Sequence, residues 1–153
     1  MPAKSQEIIL TRTIFASPAQ VYAAFTRAEG WCMWCCEKAD VETRIGGKLH
    51  IYTDGYNAYG EFTFLEENKA VAFTWDGDKE PPTQIHVELD PQADLTLLTF
   101  KVTAEDPEGW IGPEGSWTSF PEFLEQIWGH ALDNLKFVLE EKAGMSTVSG
   151  NAR

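Results

Sequence analysis

The period of hydrophobic and polar positions changes twice along the chain. Residues 7 to 15, EIILTRTIF, are apolar and β-branched and predict a strand. In SPAQVYAAFT, Ser17 suits a helix N-cap and Pro18 the first helical position, where its missing N–H has no intrahelical partner to lose. Val21, Tyr22 and Phe25 then fall at helical spacing, so a short helix is predicted to about Arg27. A second short helix is expected over Gly30 to Cys36. From there the period falls to 2. ADVETRI, KLHIYT, YGEFTFLEE, AVAFTW, TQIHVELD and LTLLTFKVT follow one another, each closed by Gly, Pro, Asn or Asp, and such a series predicts an antiparallel meander. Residues 105 to 118 carry no period and are expected to form a long loop, a kind that is usually functional or mobile. The helical period returns from Phe120 to about Lys142, where Phe123, Leu124, Ile127, Trp128, Ala131, Leu135, Val138 and Leu139 make a wide apolar stripe. The residues after Gly144 are small and polar. One domain over 1–144 with a flexible tail over 145–153 is the expected organisation.

The fold class expected is α+β: a curved seven-stranded antiparallel sheet wrapped on the long C-terminal helix, with two short helices after the first strand. Alternation along each strand selects the side chains that face the helix. These are Leu49 and Ile51, Phe62 and Phe64, Phe73 and Trp75, Ile85 and Val87, then Leu98 and Phe100. Phe123, Ile127, Trp128 and Ala131 of the closing helix would meet them, with Trp34 at one end. Such an apolar lining forms either a filled core or the wall of a pocket for a small hydrophobic molecule. Polar contacts to a ligand would come from Thr53, Tyr56, Tyr59 or Thr74, or from the 105–118 loop. In that loop Trp110 and Trp117 either cap the cavity as a lid or anchor a surface loop.

Composition narrows the function classes. The 153 residues carry a formal net charge of −12, which repels phosphate backbones and anionic lipid surfaces. Nucleic acid and membrane are therefore not expected partners. No apolar run reaches membrane-spanning length, and the polar start MPAKSQE does not resemble a signal peptide, so a cytoplasmic location is expected.

The three cysteines, Cys32, Cys35 and Cys36, stand together in GWCMWCCEKAD. Cys32 and Cys35 have the spacing of a redox dithiol, but the segment before them is itself helical and no βαβ unit follows. A zinc site needs at least three protein ligands, and His50, His86 and His130 are scattered. Trp31, Trp34 and Cys35 share one helical face, where a free cysteine acts as a small hydrophobe. Neither a metal nor another cofactor is expected. No nucleophile–base pair or phosphate loop occurs, so no catalytic residue is assigned. Glu42 and Glu61 lie within predicted strands, and a carboxylate turned inward there would have a raised pKa suited to acid–base work.

The chain resembles the START-like (SRPBCC, Bet v 1-like) helix-grip superfamily, and within it the family named for homology to the activator of the heat-shock protein 90 ATPase. Four stretches carry the resemblance: RTIFASPAQVYAAFT, WCCEKADVETRIGGKLHI, GEFTFLEENKAVAFTW and WGHALDNLKFVLEE. It implies a shared fold and an internal cavity, with no common catalytic set. The function expected first is binding of a small hydrophobic ligand under the C-terminal helix. The resemblance also implies two alternatives. One is a protein-interaction module acting on a chaperone; separately, the outer-face residues Tyr52 and Tyr59 would permit a dimer. The other is a cyclase- or dehydratase-like enzyme using an inward carboxylate or Tyr.

Overall fold

The computed structural model describes residues 5–77, 82–105 and 119–148. These form, in chain order, β1 (Ser5–Ile14), α1 (Pro18–Thr26), α2 (Ala28–Trp34), β2 (Lys38–Val41), β3 (Lys48–Thr53), β4 (Tyr56–Glu66), β5 (Ala70–Gly77), β6 (Thr83–Gln92), β7 (Leu95–Glu105) and α3 (Phe120–Val148). The sheet is antiparallel throughout, in the order β1-β7-β6-β5-β4-β3-β2. Strands β2 to β7 are sequential neighbours, as a meander requires, and β1 closes the row by pairing along β7 from Ser5↔Glu105 to Ile14↔Thr96.

Local signals explain the helices. Ser17 caps α1, its hydroxyl accepting from the Gln20 N–H while the Gln20 side chain accepts from the Ser17 N–H. Helix α2 follows after one residue. A Cβ at Gly30 would lie 2.0 Å from the Ala23 carbonyl oxygen, so only glycine lets the two helices approach this closely. Helix α3 begins at a second reciprocal cap between Ser119 and Glu122 and runs six residues beyond the predicted end at Lys142.

Two predicted strands differ in detail. ADVETRI is a strand only to Val41, because Glu42 to Gly47 leave the ladder as a loop. That loop docks on β4: the Gly46 N–H donates to the Phe62 carbonyl, and the Phe62 N–H donates to the Gly47 carbonyl. At the same point β4 bulges. Phe62 is opposite Phe73, but Phe64 is opposite Ala72, so one extra residue has entered β4. The bulge flips the alternation downstream. Phe62 is fully buried, Phe64 is 42% exposed on the outer face, and Leu65 packs toward the core instead. The expected inward position of Phe64 is thereby corrected.

Helix α3 crosses the concave face, with the Trp128 ring 5.0 Å from those of Trp75 on β5 and Phe100 on β7. Its backbone comes closest to β1 and α2. On one flank, Arg12 of β1 bridges to Asp133 at 2.6 Å and donates to the Gly129 carbonyl, Lys136 donates to the Thr13 carbonyl, and Glu140 accepts from the Phe15 N–H. These bonds lie at the C-terminal end of β1, where the Thr13 carbonyl on the strand's open edge finds a partner in Lys136. On the other flank Asn134 donates to the Trp34 carbonyl and fixes α2.

Candidate functional site

The concave face is an aromatic layer with two degrees of closure. At its centre Trp31, Phe25, Phe73 and Phe100 are almost wholly buried. Trp31 stacks on Trp34 at 5.3 Å and on Trp75 at 5.7 Å, and meets Phe25 and Phe73 edge-on. Both α2 indoles satisfy their N–H on α1: Trp31 on the Phe25 carbonyl, Trp34 on the Ala24 carbonyl. The gap up to α3 is bridged by Trp128, whose ring lies 5.0 Å from those of Trp75 and Phe100.

Toward β2 the closure loosens. Residues opposite one another in an antiparallel ladder share a face, so Val41 joins Leu49, Ala39 joins Ile51, and Tyr56 joins Thr53 on the concave side. Leu49 and Ile51 are buried, while Ala39, Val41, Thr53 and Tyr56 are only half-buried. The Tyr56 hydroxyl accepts the Trp75 indole N–H at 3.3 Å. On α3 the buried row is Phe120, Leu124, Trp128, Leu132, Leu135 and Leu139. Beside it Phe123, Ile127 and Ala131, spaced four apart, form a half-buried row. Since Asp133, Gly129 and Lys136 turn to β1 and Asn134 to α2, this second row lies on the flank that faces α2, away from β1.

The expected lining residues divide accordingly. Trp34, Leu49, Ile51, Phe62, Phe73, Trp75, Ile85, Val87, Leu98, Phe100 and Trp128 are all buried in one core cluster. Phe123 and Ala131 pack against it from outside, and Ile127 is half-buried. Trp110 and Trp117 lie outside the described residues. Of the four expected polar contacts, Tyr56 alone combines a concave position with a bond into the aromatic layer. Tyr59 is exposed and stacks on His50 at 4.5 Å, Thr74 accepts the Glu61 N–H, and Thr53 is bonded to Glu37. The half-buried margin at Ala39 and Val41 was not anticipated, although the alternation of KADV contains it.

Neither strand carboxylate turns inward. Glu61 pairs with Lys48 at 2.7 Å, and Glu42 accepts the Lys48 backbone N–H; both remain solvated. The buried polar side chains among the described residues are Thr26, Thr83 and Thr96. No three His, Cys, Asp or Glu side chains converge among the described residues in a way that would hold a metal ion. No helix among them is long and apolar enough to cross a membrane.

The profile of the family described as activator of Hsp90 ATPase homolog 1-like protein matches residues 15–140. The chain belongs to that family. A search of curated proteins returns no match. Solved structures agree on the fold. The chain is similar to protein MLL2253 from Mesorhizobium loti, with TM-score 0.72 and 19% identity over 89% of this chain and 98% of that one. It is similar to CalU16 from Micromonospora echinospora, with TM-score 0.66 and 20% identity over 97% and 85%. It is also similar to the Aha1 dimer from Colwellia psychrerythraea, with TM-score 0.68 and 24% identity over 88% and 96%. Identity this low carries the fold and no more.

Proposed function

We propose that this member of the family binds a small, largely apolar molecule between the concave face at β2–β4 and the N-terminal half of α3. The observation that carries the reading is the asymmetry of α3. The helix is tied to β1 by four side chains, which leaves Phe123, Ile127 and Ala131 half-buried on the flank away from that strand. An apolar molecule there would cover this row together with Ala39, Val41 and the ring of Tyr56, gaining roughly 25 cal/mol for each Å² of apolar surface removed from water. Trp34, Trp75 and Trp128 would form its inner wall, and the Tyr56 phenol would supply a polar contact. The domain is taken to be the unit 1–144, acting in the cytoplasm.

Native mass spectrometry of the purified protein, followed by denaturing extraction, tests the reading. The expected result is a reproducible apolar adduct on the order of a few hundred daltons, the size such pockets take. Ile127→Asp, which places a charge on the half-buried row, should abolish the adduct while the far-ultraviolet spectrum stays native. An apo mass together with no saturable binding of a fluorescent apolar probe would overturn it.

A second reading has its own support. Tyr52, Tyr59 and Phe64 are exposed aromatic side chains on the outer face of the sheet, and the family takes its description from an activator of a chaperone ATPase. A surface of this kind suits protein docking, to a chaperone or to a second copy. Sedimentation of the wild type against a Tyr59→Ser, Phe64→Ser variant separates the two: a dimer lost in the variant favours docking of a second copy.

A further inference from the structure

The cysteines have a geometry that their spacing conceals. The sequence suggests Cys32 with Cys35, yet Cys35 packs against the core and burial pushes its thiol up to about 12, with the nearby Cys32 adding to the rise. It behaves as a hydrophobe. The close pair is Cys32 and Cys36, whose Sγ atoms lie 3.5 Å apart at the C-terminal end of α2. Cys32 is exposed and Cys36 half-buried.

We propose that Cys32 and Cys36 form a reversible two-electron redox site that a peroxide closes to an intramolecular disulfide. A disulfide bond is about 2.05 Å long, so the sulfurs must move together by roughly 1.5 Å. Cys35 has already left the helical conformation, at φ −121° and ψ −32°, so Cys36 stands beyond the last turn of α2. Burial, and then the hydrogen bond to Cys32, hold the Cys36 thiol protonated well above its ordinary range. Cys32 is the exposed member of the pair and so the sulfur that an incoming peroxide meets first.

The chemistry balances with peroxide as oxidant. The Cys32 thiolate attacks one peroxide oxygen, the O–O bond breaks, and the departing hydroxide takes up the proton released by Cys32 to leave as water. Cys32 is now a sulfenic acid. Cys36 attacks the Cys32 sulfur, the S–O bond breaks, and hydroxide leaves with the Cys36 proton as a second water. Two thiols lose two electrons, and one hydrogen peroxide becomes two waters. In a reducing compartment such a bond is transient, as redox-sensing disulfides are. It would lock the exit of α2, whose Trp31 and Trp34 stand in the aromatic layer.

The test uses the full chain, reduced and then treated with hydrogen peroxide, followed by thiol counting and peptide mapping under non-reducing conditions. Reactive thiols counted under denaturing conditions are expected to fall from three to one, with a Cys32–Cys36 cross-link that a dithiol reductant reverses. Cys35→Ala should keep the cross-link. Cys36→Ser should lose it and let Cys32 proceed to sulfinic acid, which the reductant does not reverse. Both variants should retain the wild-type far-ultraviolet spectrum. A Cys32–Cys35 link, a Cys32–Cys32 link between two copies, or three thiols left intact would each overturn the proposal.

Discussion

Trp31 and Ile127 are apolar residues on helices that pack against one sheet, yet they stand in different surroundings. Trp31 is fully buried, with Phe25, Trp34, Phe73 and Trp75 in ring contact and its N–H bonded to a carbonyl. Ile127 is half-buried, on the flank of α3 that the β1 ties leave free of that strand. The first region resembles a close-packed solid, in which every ring supports its neighbours. The second is apolar surface only partly removed from water. Stability is concentrated in the one, and recognition is proposed for the other.

Trp31→Ala should give the largest effect, a loss of about 3–5 kcal/mol in denaturant unfolding, because the cavity is ringed by side chains that cannot collapse into it. A loss below about 1.5 kcal/mol would remove the distinction between the two regions. The bulge in β4 offers a sharper contrast two residues apart. Phe62→Ala should lose about 3–5 kcal/mol. Phe64→Ala, at an exposed position, should stay within about 0.5 kcal/mol. Similar losses at both would mean that the extra residue in β4 does not flip the alternation.

Ile127→Ala should lose under about 1.5 kcal/mol, since the side chain is only half removed from water. It should nonetheless weaken the binding of an apolar probe several-fold in a fluorescence titration. The reverse outcome, a large loss of stability with unchanged affinity, would assign Ile127 to the core. The smallest effect belongs to Glu140, at the β1 flank. Burial raises its pKa, but the hydrogen bond and charge of Lys136 and the Phe15 N–H outweigh this and hold the carboxyl below its ordinary 4.5. A depressed folded-state pKa stabilises the fold fully above the unfolded value and loses that contribution as pH falls through the folded one. Wild type should therefore lose more stability than Glu140→Gln between pH 5 and pH 3, read as the difference in urea midpoints.

The alternation of KLHIYT and TQIHVELD put Leu49, Ile51, Ile85 and Val87 on one face, and all four are buried because those strands pair without irregularity. EFTFLEE misled because a bulge is set by what docks on the strand, and the Gly46–Gly47 loop lies some fifteen residues away in sequence. The stripe on α3 showed which residues are apolar but not that its two rows differ in burial. That difference appears only in the fold, where Arg12, far away on β1, holds one flank of the helix and the half-buried row lies on the other. The Cys32–Cys36 pair was hidden for a similar reason, since the end of α2 turns Cys35 into the core and leaves its neighbours together.

The order of elements, the turn residues and the apolar periods were written in the sequence, because capping, alternation and glycine geometry act over a few residues. They determined a seven-stranded sheet with a long closing helix and most of its concave face. Only the tertiary structure decided where α3 rests, which flank stays half-covered, where β4 changes parity and which two sulfurs meet. Each of these is a balance between contacts made by residues distant in the chain, and no local pattern records the side on which it falls.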